Sequence, residues 1–126
     1  MQITILDKEQ VNGNWRDAFS SEFGVASAEW VGKEPTVGEN AAVELEFQGE
    51  VRIAEIDEPN FSLLANADDV NPVLITAMLE SITEDGVGIL RMGKDLLLCD
   101  LNEKQLRPGY WVEVAASKLL LYPVNY

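Results

Sequence analysis

Between residues 43 and 48 the chain alternates strictly: Val43, Leu45 and Phe47 are apolar, while Glu44, Glu46 and Gln48 are not. A period of two belongs to a pleated strand, whose side chains point in turn to a dry face and a wet one. Gln48-Gly49 then has the composition of a tight turn, and Val51 and Ile53 restore the apolar alternation beyond it. The pattern predicts an antiparallel β-hairpin with a carboxylate-rich outer face. Glu58-Pro59-Asn60 closes the unit, because proline cannot donate to a central ladder.

The C-terminal half repeats this grammar. Asp85-Gly86 and Gly93-Lys94 are compact turn signals separating Val73 to Glu84, Val87 to Met92 and Leu96 to Leu101. Arg107-Pro108-Gly109 precedes a strand from Tyr110 to Ala115, and Ala116-Ser117 divides it from another over Lys118 to Tyr122. In Leu96-Leu97-Leu98-Cys99 and Leu119-Leu120-Leu121 neighbouring residues are all apolar, so both faces must meet something other than water. Central sandwich strands covered by a helix satisfy this, and so does an apolar patch used by these C-terminal strands for a homodimer or for a partner.

The N-terminal part predicts mixed structure. Ile3, Ile5 and Leu6 form a short strand, ended by Asp7-Lys8-Glu9-Gln10 and an Asn12-Gly13 turn. A short α-helix follows, capped by Asn14, with Asp17 in its first turn and Gly24 at its end. Trp15, Ala18, Phe19 and Phe23 make its apolar stripe. Residues 61–72 suit either one or two helical turns through Phe61, Leu63, Leu64 and Ala67, or a long loop ending at Asn71-Pro72. The expected architecture is therefore mainly β: an antiparallel β-sandwich or partly open β-barrel of about eight strands with one N-terminal helix. No linker divides the chain, so residues 1–126 form a single domain.

Charge narrows the function. The formal net charge of −13 opposes phosphate backbones and anionic lipid surfaces, which argues against direct nucleic-acid or membrane binding. Nine of the acids, from Glu29 to Glu58, lie in one stretch whose only cations are Lys33 and Arg52. No apolar run reaches the roughly 20 residues of a membrane helix, and no basic stretch precedes an apolar one at the N-terminus, which predicts a cytoplasmic location.

The residue types limit catalysis further. With no histidine, the Ser-His-Asp and Cys-His arrangements and the usual zinc sites are excluded. Ser117 and Lys118 are adjacent on a strand and point apart. Glu44 and Glu46 share a strand face about 7 Å apart, but a carboxyl in water keeps an ordinary proton affinity and makes a poor acid. Asp68-Asp69 and Asp57-Glu58 lack the alternating loop with a central glycine that calcium prefers. Gly86-Val87-Gly88 lies inside a predicted hairpin, away from any strand-to-helix junction where a nucleotide phosphate would sit. Cys99, the only cysteine, is expected to be a buried hydrophobe. No cofactor or metal site is predicted.

Among the aromatic residues, Tyr110, Trp111, Tyr122 and Tyr126 could stack on ligands, but Trp111 is expected in the core. Trp30 is the expected exposed anchor. The reading that follows is a non-catalytic interaction domain that binds a basic protein partner through Glu44, Glu46, Glu50, Glu55 and Trp30. In size and charge the chain is similar to small acidic bacterial inhibitor and immunity proteins, a likeness of composition that covers no motif. The alternative is a β-barrel ligand-binding module or a structural subunit of an oligomeric assembly.

Overall fold

The computed structural model describes residues 1–67, 70–102 and 104–124. Among these described residues nine strands follow one another: β1 Gln2–Val11, β2 Asn14–Ser21, β3 Gly24–Trp30, β4 Asn40–Ile56, β5 Ser62–Ala65, β6 Val73–Ile82, β7 Val87–Met92, β8 Asp95–Asp100 and β9 Trp111–Pro123. The protein is a mainly β, predominantly antiparallel sheet with about two thirds of its residues in strands.

The hydrogen-bonded order is β3-β2-β1-β4-β9-β6-β7-β8, with β5 beside β6. A short parallel pairing of Glu29 with Leu120 and Trp30 with Leu121 also joins β3 to β9. The path β1-β2-β3-β9-β4 therefore returns to β1 and forms a closed ring of ladders. The remaining strands extend from β9, and one hydrophobic cluster runs through both regions.

The expected helix over Asn14 to Gly24 is absent; among the described residues there is no helix at all. The segment is β2 and the start of β3, with β2 paired on one side with Val11 to Thr4 and on the other with Trp30 to Gly24. Ladders on both sides satisfy the backbone of β2 and override its local helical spacing. Phe19 is core, as a helix would also have made it, but it arrives there with Trp15 and Asp17 on one strand face. Asn12 and Gly13 have φ of 52° and 83°, the conformation of a two-residue turn whose twist suits the strands it joins. Residues 62–65, within the segment predicted as helical turns or loop, are β5.

The predicted 43–53 hairpin is also overturned. The chain does not reverse at Gln48-Gly49; β4 continues through it. Gln48 pairs with Lys118 and Val51 with Ala116, so Gly49 and Glu50 together face Ser117. This is a β-bulge with a left-handed glycine, φ 79°, in the bulged strand. A glycine that tolerates positive φ serves a bulge as well as a turn, so local composition did not separate the two. Likewise Ala116-Ser117 does not divide two strands, because β9 runs on unbroken.

The bulge sets where the core lies. Leu45 and Phe47 pair with Leu121 and Leu119, whereas Val51 and Ile53 pair with Ala116 and Val114. Opposed residues share a face, and on the unbroken pleat of β9 odd and even positions point oppositely. The buried set consequently changes face at Gly49. Leu119, Leu120 and Leu121 are all at most 5% exposed, because both faces are covered within this one chain. That run offers no dimer surface.

A Cβ on Gly49 would lie 2.6 Å from Ser117 Oγ. Gly49→Ala should cost about 1–3 kcal/mol from clash and positive φ together. Adding Ser117→Ala should return the steric share, measurable by urea unfolding of the single and double variants.

Candidate partner-binding surface

Glu44 and Glu46 are exposed and lie on one face of the β4–β9 ladder. Tyr122 is directly opposite Glu44, and a hydrogen bond to Glu46 holds its hydroxyl proton above the ordinary range. Both glutamates and Tyr122 line a groove of about 930 Å³ with Met1, Val43, Leu45 and Phe47 on one wall and Lys94 to Leu98 on the other. Leu96 and Leu98 are 54% and 64% exposed, because β8 turns Leu97 and Cys99 inward and these two outward. The Met1 ammonium group anchors one end, bonded to Val43 O and to Asp95 Oδ1, each at 2.9 Å.

The other residues expected at this surface are placed elsewhere. Glu50 is exposed at the bulge, outside the groove lining. Glu55 is occupied: Arg107 contacts its carboxylate through Nε at 3.2 Å and Nη2 at 2.8 Å. The hydrogen bond from Arg107 holds the Glu55 carboxyl below its usual range, and Arg107 stacks on Tyr110 at 3.8 Å. Trp30 is half-buried against the core, and its indole N–H donates to Lys33 O at 2.6 Å. It is a packing residue here, and the exposed anchor expected of it is not found. The apolar groove residues Leu96 and Leu98 were legible only as part of a doubly apolar run.

Two titratable groups lie deep inside. Asp17 is fully buried and neither carboxylate oxygen has a hydrogen-bond partner. Burial pushes its proton affinity up to about 6, with the Lys8 charge pulling the other way. Lys8 is itself engaged by Glu34 at 2.8 Å and by Pro35 O at 2.9 Å, which weakens its hold on Asp17. Burial, then the neighbouring Asp100, pushes the Cys99 thiol up to about 11, so it is unreactive at neutral pH.

Among the described residues no group of three or more acidic, cysteine or histidine side chains could hold a metal ion. Asp68, Asp69 and Tyr126 lie outside the described residues. No helix among the described residues is long and apolar enough to cross a membrane. Comparison with protein-family models, with curated proteins and with solved structures returns no match.

Proposed function

We propose that this chain is a non-catalytic interaction protein of the acidic inhibitor or immunity type, acting on a partner with a basic surface. The observation that carries this reading is the groove, where Glu44 and Glu46 stand in water on a hydrogen-bonded ladder beside exposed Leu96 and Leu98. Carboxylates held on a rigid strand give selectivity and fast encounter with cations, and the leucines supply the apolar area that charge alone lacks. The net charge of −13 adds long-range attraction.

The test is affinity capture on immobilised protein, using extract of the cells that make it. Basic proteins retained at about 20 mM salt should be released near 0.5 M, where screening shortens to a few ångströms. Glu44→Lys with Glu46→Lys should weaken capture by roughly tenfold or more. Thermal unfolding should stay nearly unchanged, because both side chains are exposed. Equal capture by parent and double variant would overturn the reading.

A further inference from the structure

Resting on that reading, we propose that the partner binds by strand addition: an extended segment with alternating basic and apolar residues pairs with the open edge of β4 beside Leu45 and Phe47. The pairings of β4 locate this edge. Its ladder with β1 covers only Asn40, Ala41 and Ala42, and Met1 adds one reciprocal pair of bonds with Val43. Beyond Val43, among the described residues, β4 is paired on the β9 side alone.

Strand geometry then identifies the free groups. Val43 exchanges its N–H and C=O with Met1, away from β9, while Ala42 O accepts from Val124 on the β9 side. Alternation turns the Leu45 and Phe47 amides toward the same side as Val43, and those of Glu44 and Glu46 toward β9. Among the described residues, no strand pairs with Leu45 or Phe47 on that side, and neither makes a further backbone hydrogen bond there. These backbone groups border the groove, whose far wall is β8, the last strand of the sheet.

Charge selects the occupant. Glu44 and Glu46 are on the edge strand itself, and Lys94 is the only cationic side chain in the lining. A second copy of this chain would bring the same carboxylates against one another, which opposes self-pairing. A segment with Lys or Arg at alternate positions meets the carboxylates, and its intervening apolar side chains meet Leu96 and Leu98. Main-chain bonds supply affinity, and the alternate side chains supply selectivity.

The probe is an acetylated, amidated hexapeptide of alternating lysine and valine, added to the intact protein. In the saturated complex, amide hydrogen exchange at Leu45 and Phe47 should slow at least about tenfold, while Glu44 and Glu46, already bonded to β9, should not change. Two versions of the peptide, N-methylated at every lysine or at every valine, should differ: one binds as the parent does and the other loses binding. Equal binding of both versions, or unslowed exchange at Leu45 and Phe47, would overturn strand addition. If such binding still vanished with E44K/E46K, the acidic-surface reading would stand alone. Failure of the peptide to bind would overturn strand addition as well, and the Glu44- and Glu46-dependent capture of basic proteins would then decide the broader reading separately.

Discussion

Asp17→Asn unfolds at a clearly higher temperature than the parent at pH 8 and at almost the same temperature at pH 4. Asp17 is fully buried with both oxygens unpartnered, and its proton affinity rises from 3.8 to about 6. The unfolded chain releases this proton near pH 4, whereas the folded chain holds it to about pH 6. For a carboxyl shifted upward, stability is fully present below the lower value and falls as pH rises through the higher one. The displacement corresponds to about 3 kcal/mol lost between pH 4 and pH 7. Asparagine removes the charge but keeps an unsatisfied amide, so the gain at pH 8 should be about 2 kcal/mol, or roughly 6–10 °C in a chain of this length. Calorimetry across pH 4 to 8 measures it. A parent and variant with parallel pH profiles would show that Asp17 is hydrated or paired in solution.

Leu121→Ala should lower stability by about 3–5 kcal/mol, the cost of emptying a leucine site in a tightly packed core. Leu121 is 0% exposed, and its strand β9 carries ladders to β4, to β6 and to β3. The sequence leaves two uses for this apolar run, an interior strand or a contact between copies. They predict opposite results, since an interface leucine would change the association state and leave monomer unfolding almost untouched. Sedimentation and urea unfolding of the same sample separate them. A variant as stable as the parent but altered in mass would contradict the fold.

Much of the architecture is written locally. Asn12-Gly13 and Gly93-Lys94 are compact turns joining Val11 to Asn14 and Met92 to Asp95, as their composition implies. The alternation around Glu44 and Glu46 correctly places both on one wet face. What was hidden depends on contacts distant in sequence. In β2 the inward set is Trp15, Asp17 and Phe19, and an aspartate in the middle conceals the period of two, so the helical spacing of Trp15, Ala18 and Phe19 dominates. Gln48-Gly49 becomes a bulge because Ser117 and its neighbours hold β4 in line on both sides of it. Of the five expected site residues, Glu44 and Glu46 are in the groove lining. Glu55 is claimed by Arg107 from 52 residues away, a pairing no spacing rule reveals.

The long β4–β9 ladder, bulged once at Gly49, passes through both the closed ring and the extension toward β8. Neither region owns a complete set of strands, so melting one strips hydrogen bonds and covering side chains from the other. The slowest-exchanging amides at both ends of β9 should therefore share a single opening free energy, equal to that of global unfolding, with no half-melted species between them.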